Sequence, residues 1–316
     1  MAERFSCART SAELREPLLG TASRVRRWVL VEQPGSWGAD ALLESRLPVH
    51  LGQELRRRCE AVRARPLVIR RHGVPEPGPR RVYVVSSRPD APWVEQLELD
   101  DIEALADLDL GPLGEDASVG GVRLDASLLL TCTNGAHDAC CAEYGRGVAA
   151  ALDASHRERA WECSHIGGDR FAANLLVLPE GLYYGRVTAE VAPEIVRLRD
   201  TGRLALPYLR GRSTSAFDVQ AAEAVLRDHL DLDGMAAVSP LRRAHAGEAA
   251  VAVDLRVDAP GLAPRWRVEL EVTPDPREQR LTCGATGLGF PPRYAERGVA
   301  PVPVGETGAP GTTPAR

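Results

Sequence analysis

The sequence predicts an α/β protein in which two β-α-β-β units follow one another along the chain. Each half opens on a short apolar strand, continues through a helix with apolar residues at helical spacing, and then gives two further strands. The length of 316 residues also favours two domains over one. We expect a first α/β domain at residues 1–120, a second at 121–297 that includes a terminal sheet, and a disordered tail at 298–316.

The first half holds one predicted helix between short strands. An apolar strand at 28–31 precedes residues 51–65, where apolar side chains recur at helical spacing beneath an Arg-rich outer face. Two strands follow at 66–70 and 81–86, with a Pro- and Gly-rich turn between them. Residues 111–121 are rich in Gly and Asp, which indicates the linker to the second half.

The second half repeats this order. An apolar strand at 126–131 ends at Cys132, a helix covers about 140–154, and a short strand follows at 160–163. A Pro-Glu-Gly turn with an apolar run on each side is typical of a β-hairpin. The remaining predictions are the hairpin strands at 174–178 and 182–187, helices at 192–203 and 217–230, and strands within 235–257 and 265–283. From residue 284 onward Gly, Pro and Thr dominate, which favours a disordered tail.

Composition excludes several classes of partner. The net charge of −5 offers no general attraction to nucleic acid or to anionic membranes. No apolar run approaches the roughly 18 residues of a membrane-spanning helix. Because the first residues also lack a signal-peptide pattern, we expect a cytoplasmic protein. In that compartment, clustered cysteines serve metal binding or redox chemistry more often than disulfides.

One short stretch holds four of the seven cysteines and two of the seven histidines. They are Cys132, His137, Cys140, Cys141, Cys163 and His165. Thiolates and imidazoles gathered this closely are the ligands that zinc and iron–sulfur clusters require. The stretch therefore predicts a metal centre, a thiol redox site or a group of buried cysteines.

The predicted elements allow these side chains to converge. Cys132 ends a strand, Cys141 lies near the start of the following helix, and Cys163 ends another strand just before His165. Strand ends and loop–helix junctions of one α/β unit meet at one edge of the sheet. Glycines at 167–168 would let the backbone pass close to an ion or cluster.

The spacing of the cysteines favours one metal centre over the alternatives. Cys132 and Cys141 do not form the closely spaced pair that is typical of structural zinc, whereas a [2Fe–2S] cluster accepts wide spacing and histidine ligands. The adjacent Cys140 and Cys141 suggest a thiol redox enzyme, but the sequence has no C-x-x-C motif. A structural zinc protein and a thiol redox enzyme remain the alternatives to a [2Fe–2S] protein.

Four longer motifs include this cysteine-rich stretch and continue beyond it. They are CTNGAHDACCA at 132–142, WECSHIGGDRFAAN at 161–174, LPEGLYYGR at 178–186 and LRGRS at 209–213. Together they resemble the sucrase/ferredoxin-like family, and the resemblance is close over residues 127–215. It implies a thioredoxin-like fold, here two units in tandem, that carries a [2Fe–2S] cluster held by two cysteines and by histidine.

The resemblance also implies which residues hold the cluster. Cys132 and Cys141 match the paired cysteines of the family, and His165 matches the first histidine of an H-x₃-H element. Asp169 stands where the second histidine would be. We predict Cys163 as the fourth ligand because its thiolate is softer than a carboxylate, with Asp169 as the alternative. The function implied is electron transfer with an unidentified redox partner protein, rather than stand-alone catalysis.

The other cysteines and the nearby histidine have simpler interpretations. We expect Cys7, Cys59 and Cys283 to be packed in the interior, because free cysteine is among the most buried residue types. Cys140 is expected to point away from the cluster, and His137 either caps the helix or orients a ligand.

Four arginines follow the cysteine-rich stretch in the sequence. They are Arg170, Arg186, Arg210 and Arg212. They either offset the negative charge of an iron–thiolate centre and dock an acidic partner, or form ion pairs within the fold.

Overall fold

The computed structural model describes residues 4–74 and 77–303. Its α-helices are α1 Cys7–Glu13, α2 Ala41–Glu44, α3 Val49–Ala61, α4 Ala139–His156, α5 Ala192–Asp200 and α6 Phe217–Leu230. Its strands are β1 Arg27–Glu32, β2 Ala64–Arg70, β3 Arg80–Ser86, β4 Trp93–Leu99, β5 Val122–Leu124, β6 Leu128–Cys132, β7 Ala160–Cys163, β8 Leu175–Leu178, β9 Leu182–Tyr184, β10 Leu209–Arg212, β11 Val238–His245, β12 Ala250–Val257, β13 Arg265–Pro274 and β14 Pro292–Pro301. Within these ranges, none of the helices has both the length and the apolar character needed to cross a membrane.

The protein is a mixed α/β protein with two sheets, which confirms the predicted class. Ten strands form one mixed sheet in the order β10-β9-β8-β6-β7-β2-β1-β3-β4-β5. Four strands, β11 to β14, form a second, antiparallel sheet.

The large sheet contains two units with the same strand order. In the first, β1 and β2 are parallel and joined through α2 and α3, and β3 and β4 continue antiparallel from β1. In the second, β6 and β7 are parallel and joined through α4, and β8 and β9 continue antiparallel from β6. The units meet where β2 pairs antiparallel with β7, so one sheet crosses the predicted boundary between residues 1–120 and 121–297.

Burial explains why these segments form central strands and a covering helix. All residues of β6, β7 and β8 are buried, as expected for strands that are covered on both faces. On α3, Leu51, Leu55 and Cys59 recur every four residues and pack beneath the first unit. Cys59 is therefore a packed core cysteine, as the sequence indicated.

The second sheet packs against α6 and extends beyond the predicted start of the tail. Leu226 of α6 joins a core cluster with Val253 and Leu270 of the sheet. The tail was predicted to begin at residue 298, but β14 continues to Pro301, which pairs with Trp266 of β13. The predicted start of the tail at residue 298 was wrong, because residues 298–301 pair with β13. Residues 304–316 lie outside the described part of the chain.

Candidate metal centre

Two cysteines lie side by side where the parallel strands of the second unit end. Cys132 is the last residue of β6 and Cys163 is the last residue of β7, and the two are register partners. Their relative exposures are 1% and 0%. The backbone N–H of Thr133 donates to the Cys163 carbonyl at 3.2 Å, which extends the pairing one step beyond the strands.

The start of α4 brings a third thiol to this point. Asp138 caps the helix by accepting the Cys140 N–H at 2.9 Å, and Cys141 follows in the first turn, in the same buried cluster as Cys132. The helix approaches β6 closely at Gly145, where an added Cβ would lie 2.3 Å from the Cys132 carbonyl oxygen. A glycine at this position thus allows the two cysteines to meet.

The pKa values of the two thiols in this pair are shifted in opposite directions. The hydrogen bond from Cys141, helped by the Asn134 N–H and by His165, lowers the pKa of Cys132. The same hydrogen bond, together with burial, raises the pKa of Cys141. Burial also raises the pKa of Cys163. Cys132 is therefore the thiol of the three that is best prepared to become a thiolate.

A group of nitrogen and oxygen ligands lies directly beside the thiol pair. Asp169 Oδ1 is 3.2 Å from Cys141 Sγ and 2.9 Å from His165 Nδ1. Asp169 Oδ2 is 3.9 Å from His137 Nε2, and the two imidazole rings are stacked with centroids 3.8 Å apart. Three ligand atoms lie within 4.8 Å of one another, one each from His137, His165 and Asp169. The His137 ring therefore belongs to the site, whereas the sequence left its role open.

The loop that presents this group is held by a buried arginine. Gly167 and Gly168 adopt positive φ angles of 96° and 81°, which turns the chain between His165 and Asp169. Arg210 donates to the Gly167 carbonyl at 3.0 Å and to another residue of the loop, Asn174, at 2.7 Å. An added Cβ at Gly168 would lie 2.2 Å from the guanidinium, so Arg210 occupies the space that a side chain at position 168 would need.

Asp169 is a carboxylate in the interior. Its side chain is 2% exposed. Burial opposes its charged form, but the contacts with His165 and Cys141 outweigh burial and lower the pKa of Asp169. At neutral pH the site therefore contains a buried carboxylate within contact distance of a thiol and an imidazole.

The donor atoms fit a [2Fe–2S] cluster with mixed ligation. Such a cluster takes two ligands on each iron, with sulfur on one and imidazole on the other in the Rieske type. Here Cys132 and Cys141 form a thiol pair, and His165 and Asp169 form an adjacent nitrogen–oxygen pair. His165 Nδ1 is buried, yet no atom of the described residues gives it a hydrogen bond of acceptable geometry. Its nearest partner is the Asp169 carboxylate at 2.9 Å, and metal ligation would satisfy both of these buried side chains.

The two residues predicted for the fourth position lie on different sides of this arrangement. Cys163 lies beside Cys132, in the same core cluster as the other two thiols. Asp169 lies beside His165 and completes the nitrogen–oxygen group. The choice between them stays a prediction, and His137 adds a third nearby donor.

The arginines that follow the cysteine-rich stretch make contacts within the fold. Arg170 pairs with Glu16 at 2.8 Å, and Arg186 donates to the Glu16 carbonyl at 2.8 Å. Arg212 reaches the Met235 carbonyl at 3.4 Å, and Arg210 is buried in the loop contacts above. These contacts support the interpretation that the four arginines have partners within the fold.

A second group of potential ligands was missed by the sequence analysis. It consists of Cys7, Asp138, Cys140 and Cys283, whose ligand atoms lie within 4.8 Å of one another. Cys140 points away from the thiol pair, as expected, and its sulfur is 3.3 Å from that of Cys283. No local spacing in the sequence indicates this group, because Cys7 and Cys283 are far apart in the chain.

The first group is accessible to solvent only at its histidine side. The side chains of His137 and His165 are 35% and 26% exposed, whereas the thiol pair is buried. A groove of about 600 Å³ opens at the two rings, and charged side chains such as Arg56 and Glu60 line it.

One comparison with known proteins identifies the family. A model described as sucrase/ferredoxin-like matches residues 18–211, which is more than half of the chain, and confirms the resemblance. The chain belongs to the sucrase/ferredoxin-like family. Neither a curated protein nor a solved structure gives a significant match.

Proposed function

We propose that this member of the sucrase/ferredoxin-like family binds a [2Fe–2S] cluster and serves as a one-electron carrier. The observation that carries the proposal is the buried thiol pair of Cys132 and Cys141 in contact with the His165–Asp169 group. When bound, the cluster supplies reversible one-electron chemistry. The protein supplies the ligands and controls access to them.

The side chains have distinct tasks in this proposal. Cys132 and Cys141 would supply the two thiolate ligands of the cluster. His165 and Asp169 would supply the other two ligands, and the loop contacts of Arg210 keep these side chains in place. We favour Asp169 over Cys163 because the carboxylate, unlike that thiol, lies next to His165.

The repeated strand order supports the thioredoxin-like interpretation of each unit. Each has a parallel β-α-β pair followed by an antiparallel pair, in the order β2-β1-β3-β4 or β7-β6-β8-β9. Cys132 and Cys141 occupy the strand end and helix start of the second unit. In the first unit, Glu32 ends β1 and Ala41 begins the next helix, so the family cysteines occur in one unit alone.

The exposed histidines indicate where electrons and protons pass. Because the thiol side is buried, a redox partner protein would approach the histidine side, at the groove beside His137 and His165. An imidazole ligand that reaches solvent also couples electron transfer to protonation. The partner and the cytoplasmic location stay predictions.

The proposal is tested by iron and sulfide analysis of the full chain after anaerobic purification. We expect iron and acid-labile sulfide in equal amounts, with visible absorbance that Cys132→Ala abolishes. Cys59→Ala is the matched control, because it removes a buried thiol that packs in the core of α3, away from the ligand groups. Colourless protein without sulfide, or a Cys132–Cys141 disulfide that turns over with a dithiol, would contradict the proposal.

A further inference from the structure

Three sulfur atoms and a carboxylate meet at a second point of the molecule. The Sγ–Sγ distances are 3.3 Å for Cys140–Cys283, 3.5 Å for Cys7–Cys283 and 3.8 Å for Cys7–Cys140. The two carboxylate oxygens of Asp138 lie 3.7 and 3.8 Å from Cys7 Sγ. The four side chains therefore surround a single position.

These distances match the ligand shell of a tetrahedral metal ion. Zinc binds thiolate sulfur at about 2.3 Å in tetrahedral geometry, which places neighbouring sulfurs about 3.8 Å apart. A disulfide requires a sulfur separation near 2.05 Å. We propose that Cys7, Cys140 and Cys283, together with Asp138, form a structural zinc site that is separate from the cluster site.

This group is buried, and its carboxylate is held in place by hydrogen bonds. Cys7, Asp138 and Cys140 are at most 2% exposed, and a buried carboxylate requires hydrogen bonds or a cation. The carboxylate accepts the N–H groups of Cys140 at 2.9 Å and Cys283 at 2.6 Å. Hydrogen bonds of this kind orient ligating carboxylates in metal sites.

The carboxylate also disfavours thiolates in the absence of a cation. Burial and the charge of Asp138 raise the pKa of Cys7, and burial raises that of Cys283 to about 11. A dication would reverse this balance and displace the thiol protons to solvent.

The site would join three parts of the chain that are distant in sequence. Cys7 begins α1, Asp138 and Cys140 begin α4, and Cys283 lies in the long connection 275–291 between β13 and β14. That connection contains one isolated bridge, Gln279↔Gly289. Long connections without regular structure usually have a function or are held by added contacts. A zinc ion would fasten α1 and the connection 275–291 to the helix that carries Cys141.

The geometry of α4 keeps the two sites apart. Consecutive helix residues point about 100° away from each other. Cys140 therefore contacts Cys7 and Cys283, whereas the next residue, Cys141, contacts Cys132 and Asp169. Cys7 and Cys283 also lie outside residues 18–211, so two of the four side chains of the second site are not part of the family match.

The test is metal analysis of the full chain combined with single substitutions. We expect zinc in a one-to-one ratio with the chain, and we expect Cys283→Ala and Cys7→Ala to lose it with iron and visible absorbance retained. Cys132→Ala should show the reverse pattern, with iron lost and zinc retained. Cys59→Ala should retain both metals. This pattern separates failure of the zinc site from failure of the cluster site.

A cobalt titration of the unaltered chain keeps the inference testable if a variant does not fold. Added Co²⁺ is expected to replace zinc and give the intense absorption of tetrahedral thiolate coordination. Asp138→Asn, which retains an oxygen that can cap α4, should weaken zinc binding at least tenfold. A chain that binds neither zinc nor tetrahedral Co²⁺, or a Cys283→Ala protein with unchanged zinc content, would overturn the inference.

Discussion

Asp169 is the residue on which the nitrogen–oxygen side of the proposed cluster site depends. It offers a hard, anionic donor at the position where the H-x₃-H element of some family members, as the resemblance implies, has its second histidine. Its contacts with Cys141 at 3.2 Å and His165 at 2.9 Å place it between the two ligand pairs. The substitution Asp169→His would give this chain the H-x₃-H element.

We predict that Asp169→His retains the cluster and raises its reduction potential. A neutral ligand in place of a carboxylate makes the cluster less negative, and less negative clusters are easier to reduce. Redox titration followed by visible absorbance measures the shift. Asp169→Ala should lose the cluster, whereas Cys163→Ala should retain it. If Cys163→Ala loses the cluster and Asp169→Ala keeps both cluster and potential, Cys163 is the fourth ligand instead.

At the scale of single elements, the approach of α4 to β6 positions the thiol pair. This contact depends on Gly145, since any side chain there would meet the Cys132 carbonyl. Another glycine of the same helix, Gly147, is exposed, and an added Cβ there would lie 3.9 Å from its nearest neighbour. The helix therefore contains both a sensitive position and its matched control.

We predict that Gly145→Ala destabilises the protein by about 1–3 kcal/mol, because the helix must move away from β6. The displacement should also lower the cluster content. Gly147→Ala should leave the cluster unchanged and stabilise the protein by up to about 1 kcal/mol, because alanine favours helix. Urea unfolding and absorbance of both variants provide the measurement. Equal effects of the two substitutions would show that the close approach does not matter.

The elements that the sequence predicted well are those with strong local patterns. The strand at 160–163 and the helix at 217–230 have the observed bounds. The elements that it missed are α1, α2, β5 and β10, which are short, and β4 and β14, in which charged residues interrupt the apolar ones. Short or exposed segments lack the apolar periodicity on which such predictions depend, and their pairing comes from the rest of the sheet.

The whole molecule explains why one site was found in the sequence and the other was not. Cys132, Cys141 and His165 lie close together in the chain and carry a family motif, so the sequence indicated their common site. Cys7 and Cys283 meet because α1 and the connection between β13 and β14 both reach Cys140 of α4. Contacts between residues so distant in sequence have no local pattern from which to predict them.

The mixed ligation is tested by pulsed EPR on the reduced full-length protein. We predict the signal of a reduced [2Fe–2S] cluster with nitrogen hyperfine coupling from a ligating imidazole. His165→Cys should retain the signal and lose that coupling, whereas His137→Ala should retain both. A signal without nitrogen coupling in the unaltered protein, or a coupling that survives in His165→Cys, would contradict the assignment of His165 as a cluster ligand.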